Sequence, residues 1–256
     1  MSRVPNICII QARTGSSRLP NKIFLEVQGV SILEYEIRRI RQAKLIDEIV
    51  VATTINPRDD SVDAFCKKIK VRGFRGSEDD VLDRFWQCAR QYPKAAAIIR
   101  ISGDCPLVDP KVIDQVVAEY NNEGVDYVSN VLTETFPVGI AVEIFSRTAL
   151  EKSAREALFP SEREHVTPYI RNRDEFVKSN VSAEQDHSDF RLTLDHPEDF
   201  EVIRFLIENS KITDPYLHYV KLLLENPEVR RKNSHIPKNQ GLIKSLNREK
   251  NLNLNQ

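Results

Sequence analysis

Apolar positions fall into two alternating rhythms along the first half of the chain. Residues 4–10 make a short, mostly apolar run, which predicts a buried strand, and the polar loop 11–22 follows it. Residues 32–42 then carry apolar side chains at three- and four-residue spacing, the period of an amphipathic helix. The alternation repeats with strands over 46–53, 71–74 and 96–101 and helices over 61–70 and 81–91. Strands and helices alternating at this spacing predict βαβ units around a mainly parallel sheet. Asp109 and Pro110 open a further helix to about residue 120, Asp109 as N-cap and Pro110 at the first helical position.

The second half departs from this alternation. Strands are expected at 126–129 and 141–144, with Pro137 and Gly139 in the connection between them, then helices at 148–156 and 164–172 separated by Pro160. Strands at 176–181 and 190–194 and helices at 197–208 and 215–225 complete the pattern. The expected organisation is one domain over 1–226, with an insertion at about 130–175 that carries substrate and subunit contacts. Beyond Asn226 the chain turns polar and rich in Asn, Lys and Arg, which predicts a flexible or loosely docked tail over 227–256.

Composition narrows the class. With 256 residues, 41% of them hydrophobic, the chain can bury a large core. The balance of 37 Lys and Arg against 38 Asp and Glu gives no whole-molecule field for nucleic acid or an anionic membrane. No apolar run is long enough to span a bilayer and the first residues have no secretory pattern, so a cytoplasmic protein is expected. The four cysteines, Cys8, Cys66, Cys88 and Cys105, are dispersed without a CxxC pair and read as reduced, buried thiols. Glycine is scarce, only 8, so the places where it occurs are informative.

The loop after the first strand packs three fixed cations, Arg13, Arg18 and Lys22, around the small-residue turn Thr14-Gly15-Ser16-Ser17. In an open α/β sheet that loop lies at the carboxyl edge, where ligands bind, and its backbone amides can approach an anion. A polyphosphate is one reading and an ordinary basic surface loop is the other. Neither GxxxxGK[ST] nor GxGxxG is present, which removes the main support for P-loop ATPases and dinucleotide dehydrogenases. At the end of the fourth strand, Gly103-Asp104-Cys105-Pro106-Leu107 aims a carboxylate off the sheet edge; Mg²⁺ binds through one or two such carboxylates while keeping water and phosphate oxygens. A cap or turn role for Asp104 is the alternative, although Asp109 already supplies the next cap. Asp195, two residues before Pro197, follows the same strand-then-acid logic and reads alternatively as an N-cap.

The run from Ile9 to Lys22 resembles the N-terminal signature of the cytidylyltransferases that activate acidic sugars, the acylneuraminate and 3-deoxy-manno-octulosonate enzymes, and most closely the spore-coat polysaccharide biosynthesis proteins. Gln11 stands where the better-characterised enzymes usually carry Pro; the spore-coat branch carries Gln. The resemblance runs through residues 4–210. It implies a Rossmann-like α/β nucleotidyltransferase fold and a CTP site lined by Ala12, Arg13, Gly15, Ser16 and Lys22, with Arg13 and Lys22 on the phosphates and Arg18 a weaker third. It further implies that Asp104 and Asp195 hold Mg²⁺.

The run from Arg75 to Arg84 also resembles the spore-coat type, and implies nucleotide contacts from Arg75, Gly76 and Ser77; Glu78 to Asp80 read as the acidic opening of a helix. Arg163 and His165, in the inserted region, are candidate sugar contacts. The expected activity is transfer of CMP from CTP to an acidic sugar in surface-polysaccharide, glycan or spore-coat assembly, by a homodimer. The alternatives are a nucleotidyltransferase using another NTP or a sugar 1-phosphate, or a glycosyltransferase, for which no DxD motif is present at Asp104. A non-catalytic nucleotide sensor is the third, although Lys22 and Asp104 are both in place.

Overall fold

The computed structural model describes residues 5–253. The first strand, β1 (Asn6–Gln11), is followed by the polar loop and a two-residue hairpin, β2 (Glu26–Val27) and β3 (Val30–Ser31), whose turn places Gln28 and Gly29 at φ 52° and 74°. Positive φ at both central residues is what a tight hairpin requires. Helix α1 (Ile32–Ile40), capped by the Ser31 hydroxyl, leads to β4 (Glu48–Thr54), α2 (Asp60–Lys68), β5 (Arg72–Gly76), α3 (Val81–Arg90), β6 (Ala97–Ser102) and α4 (Pro110–Glu123). As expected, Asp109 caps α4, accepting the Lys111 amide at 2.8 Å. The chain continues through β7 (Tyr127–Ser129), β8 (Glu143–Ser146), α5 (Arg147–Glu156), α6 (Pro160–His165), α7 (Pro168–Arg171), β9 (Lys178–Asn180), α8 (Pro197–Glu208), α9 (Tyr216–Glu225), α10 (Pro227–Arg230) and α11 (Gln240–Asn253).

Seven strands form the main sheet in the order β5-β4-β1-β6-β8-β7-β9. The pairs β5–β4, β4–β1, β1–β6 and β7–β9 are parallel, and β8 runs antiparallel to both β6 and β7. Strand order reverses at β1 and β6, and the crevice beyond the carboxyl ends at such a switch is where ligands bind in open α/β sheets. Alternate residues of each strand feed two cores. Cys8, Ile10, Ile99 and Val51 pack on one face, against α1, α4 and α8; Ile7, Ile9, Val50 and Ile98 pack on the other, against α3 and α5. All four cysteines are free and buried.

Three segments differ from the sequence reading. Residues 190–194 are not a ladder strand: they bridge Val138 at Arg191 alone, and Gly139, at φ 101°, lies so close that a Cβ there would be 2.5 Å from the Leu192 carbonyl carbon. The helix expected over 164–172 is two short ones, because Pro168 lacks the N–H that would continue the turn and Val166 takes φ 72°. The segment 130–175 contributes β8 to the main sheet and lays α5, α6 and α7 over one face of it. The tail expected to be flexible or loosely docked forms α10 and α11 and is anchored at a few positions. Val229, Asn233, Ile236 and Ser245 are buried, few anchors but enough to dock a chain that looks uniformly polar in sequence. Residues 254–256 of that tail lie outside the described residues. No helix among the described residues is long and apolar enough to cross a membrane.

Candidate active site

The loops that follow β1, β4, β5 and β6 open at one edge of the sheet, and the first of them is held by a buried acid. Thr14 donates its amide (2.8 Å) and hydroxyl (2.7 Å) to Asp59, which also accepts the Thr54 hydroxyl. Asp59 is fully buried. Burial alone would raise its pKa, but the Thr14 and Thr54 bonds outweigh that and hold it below the ordinary aspartate value. The Thr14 carbonyl accepts the amides of Ser16 and Asn21, closing the loop on itself, and the Ser16 hydroxyl takes the Leu19 amide. The amides of Gly15, Ser17 and Arg18 have no protein partner among the described residues. That is the backbone geometry of an anion cradle. Ala12 is buried beneath it, bonded through its amide to the Ala52 carbonyl.

Lys22 lies at the far end of this loop, on a short helical turn over Lys22–Phe24. Its ammonium stands between the carboxylates expected to pair, 2.7 Å from Asp104 Oδ2 and 2.8 Å from Asp195 Oδ1, and Arg18 reaches the same Asp195 oxygen at 2.9 Å. Residues 22, 104 and 195 thus meet at one point. Burial disfavours the Lys22 charge, yet the two carboxylates more than offset it and its pKa lies above the ordinary lysine value. Asp195 is drawn down to about 2: burial opposes ionisation, but Lys22 and then Arg18 favour it more strongly. Under Asp104 lies fully buried Glu36, neither oxygen of which is hydrogen-bonded; burial first, then the charge of Asp104, push its pKa well above the usual range.

Gly103 serves a different purpose from the one its position beside Asp104 suggests. Its amide donates to the Gln11 carbonyl at 2.9 Å, and a Cβ there would be 2.9 Å from both that oxygen and the Ala12 Cβ, so glycine lets the turn pack against the end of β1. Asp195 is oriented from below. Buried Asp199 accepts the amides of Asp195 and His196, each at 2.9 Å, together with both prongs of the Arg191 guanidinium (2.8 and 2.9 Å) and the Asn233 amide. From the sequence alone, Asp199 is an acid in the first turn of a Pro-started helix, where it would complement the helix dipole. Arg191 and Asn233 gave no signal, because nothing local relates a residue before a helix to one more than thirty positions after it.

Arg75, Gly76 and Ser77 reach the same edge, but their side chains are mostly committed. Arg75 donates to the carbonyls of Thr54 (2.9 Å) and Asn56 (3.0 Å) and pairs with Asp60 at 2.6 Å, while the Ser77 hydroxyl accepts the Asp80 amide. Asp80 caps α3, as its position suggests, and also pairs with Arg163. Glu78 does something the sequence did not indicate: it pairs with Arg13 at 3.5 Å and with Arg58, and accepts the Asn56 side-chain amide at 2.9 Å. Arg163 is held by Asp80 and the Ala154 carbonyl, and His165 bonds the Ser245 hydroxyl of α11 at 3.1 Å. The structure therefore uses both candidate sugar residues to join α6 to its neighbours.

The loop presents unpartnered amides and cations at the sheet edge, and two carboxylates stand at its end. Among the described residues no group of three or more His, Cys, Asp or Glu could hold a metal. The two carboxylates suit a different arrangement. They already share one cation, the Lys22 ammonium, and hard oxygen donors that leave positions for water and phosphate are the set Mg²⁺ prefers.

A seven-stranded Rossmann-like sheet with an anion cradle after β1 and paired acids at the switch point defines a nucleotidyltransferase. The Cytidylyltransferase family profile matches residues 7–231, and the chain belongs to that family. It is 36% identical over 210 residues to the spore coat polysaccharide biosynthesis protein SpsF of Bacillus subtilis, covering 79% of this chain and 86% of that one. It is 28% identical over 171 residues to the 3-deoxy-manno-octulosonate cytidylyltransferase of Chlamydia trachomatis serovar A, covering 62% and 65%. A solved cytidylyltransferase from Leptospira borgpetersenii serovar Hardjo-bovis superposes with a TM-score of 0.85 at 33% identity, over 92% of this chain and all of the other.

Proposed function

We propose that this protein transfers CMP from CTP to a hydroxyl of an acidic sugar, releasing pyrophosphate, and that Asp104 and Asp195 hold the Mg²⁺ the reaction uses. The observation that carries the reading is the meeting of Lys22, Asp104 and Asp195 at the end of the anion-binding loop. Held there, Mg²⁺ would supply charge neutralisation to the transferring phosphoryl group and would lower the pKa of a hydroxyl beside it. The chain's own residues do the rest. The loop amides and Arg13 bind the triphosphate, and Asp199 and Arg191 fix the direction of Asp195. Lys22, within reach of both carboxylates, turns to the phosphate that leaves. The sugar oxygen forms its bond to the α-phosphorus as the bond to pyrophosphate breaks, and fixed cations stabilise the departing charge. Arg75, Gly76 and Ser77 border the base, mainly through backbone groups.

A homodimer working in the cytoplasm on surface-polysaccharide or spore-coat precursors completes the proposal; the likeness to the spore coat polysaccharide biosynthesis protein SpsF supports its polysaccharide part. The test is pyrophosphate release with each of the four NTPs, Mg²⁺ and a panel of acidic sugars that includes 3-deoxy-manno-octulosonate. Turnover with CTP alone is expected; turnover supported by UTP or GTP in its place contradicts the cytidylyl assignment.

A further inference from the structure

Arg58 belongs to none of the motifs read in the sequence, yet it reaches the phosphate loop. It sits in the turn after β4, beside Asp59, and its guanidinium covers the bare Cα of Gly15: a Cβ built there would be 2.6 Å from Arg58 Cζ and 2.7 Å from its Nη2. Gly15 is one of the three loop residues, with Ser17 and Arg18, whose amides have no protein partner among the described residues. Arg58 and Arg13 also pair with the same carboxylate, Glu78, and the charge of Arg58 is felt by Asp59 as well. The neighbouring acids are engaged elsewhere, Asp59 with Thr14 and Thr54, Asp60 with Arg75, and Asp80 with Arg163. The Arg13 and Arg58 side chains are 43% and 46% exposed, so both face solvent at the mouth of the cleft.

We propose that Arg58 binds the two distal phosphates of the nucleotide, and that Glu78 occupies Arg13 and Arg58 until the nucleotide arrives. The inference rests on the nucleotidyl-transfer reading above. In that reading the α-phosphate lies by Asp104 and Asp195 and the base lies by Ser77, so the distal phosphates run over the loop tip, under Arg58. A guanidinium fork binds a phosphate oxygen pair in two directed bonds, and a polyphosphate carries more charge than the one carboxylate it replaces. Glu78 keeps its bond to the Asn56 side chain, 2.9 Å in length, as a position to retreat to.

Calorimetric titration of the full-length protein with CTP, pyrophosphate and CMP, without metal, tests this on Arg58→Ala, Arg58→Lys and Glu78→Gln. Arg58→Ala is expected to weaken CTP and pyrophosphate by about tenfold or more and to leave CMP within about twofold of the unmodified protein. Arg58→Lys should fall between, and Glu78→Gln should tighten CTP and pyrophosphate. Equal losses for CMP and CTP in Arg58→Ala, or no loss at all, overturn the phosphate role. Weaker CTP binding by Glu78→Gln overturns the place-holder role, because it means the carboxylate itself touches the nucleotide. If the unmodified protein prefers another NTP, the cytidylyl reading fails while the pyrophosphate comparison still decides the role of Arg58.

Discussion

Two charged corners of the molecule use their ion pairs in opposite ways. At the end of the phosphate loop, Lys22, Arg18, Asp104 and Asp195 come from three distant segments and pair chiefly with one another at the sheet edge. At α6, Arg163 and His165 are bonded to a helix cap, a backbone carbonyl and a serine of α11. Groups of the first kind can exchange each other for a ligand with little change in fold. Groups of the second kind hold elements together, and a ligand that claimed them would have to break a cap or loosen a helix.

The sharpest way to break this comparison is to remove each carboxylate of the first corner in turn. Asp104→Asn and Asp195→Asn should each lower pyrophosphate release by about a thousandfold while keeping the circular dichroism spectrum and melting cooperativity of the parent. Near-normal turnover in either variant would remove that acid from the site. Beneath the site the expectation is reversed. Asp199→Asn leaves the buried Arg191 charge with only the more distant Asp195 carboxylate, 3.7 Å away, and should cost about 3–5 kcal/mol of stability in chemical denaturation, with activity falling as Asp195 loses its support. A loss under about 1 kcal/mol would show that Asp199 contributes little to either.

Acid titration sharpens the comparison from another side. Asp195 has its pKa drawn from 3.8 to about 2 in the folded state. A depressed carboxyl stabilises the fold at pH above its unfolded value, and that stabilisation disappears as pH falls through the folded value. About 2 kcal/mol should therefore be lost between about pH 4 and pH 2, and Asp195→Asn should lack that part of the acid transition when melting is followed across the range. An unchanged acid profile would mean that Lys22 and Arg18 do not hold this group ionised. The smallest effect is expected at α6. Arg163→Ala should cost about 1 kcal/mol and leave the acceptor KM alone, because its pairing with Asp80 is structural. A raised acceptor KM at unchanged CTP KM would return Arg163 to the sugar site.

Much of this was legible in the chain because it is local. The β1 loop, the acid after β6 and the Pro-started α8 each announce themselves within about ten residues, and the alternation of strand and helix places all of them on one edge. The strand expected over 190–194 failed because hydrophobic alternation marks burial between neighbours, and Leu192 and Leu194 are buried without a ladder. Arg58, Glu78 and the Asp199 support gave no signal for a related reason: each acts across a turn or a sheet edge, on partners that sequence distance conceals. The helices of the C-terminal segment gave no signal because a few buried positions dock it, and composition averages over them.

The central claim is that Asp104 and Asp195 together hold one divalent cation against the nucleotide. Electron paramagnetic resonance of Mn²⁺, titrated into the protein with CTP present, measures this without turnover. The account predicts one Mn²⁺ site per chain that is filled with CTP, and that both Asp104→Asn and Asp195→Asn weaken severely. Unaltered Mn²⁺ binding in either variant would contradict it.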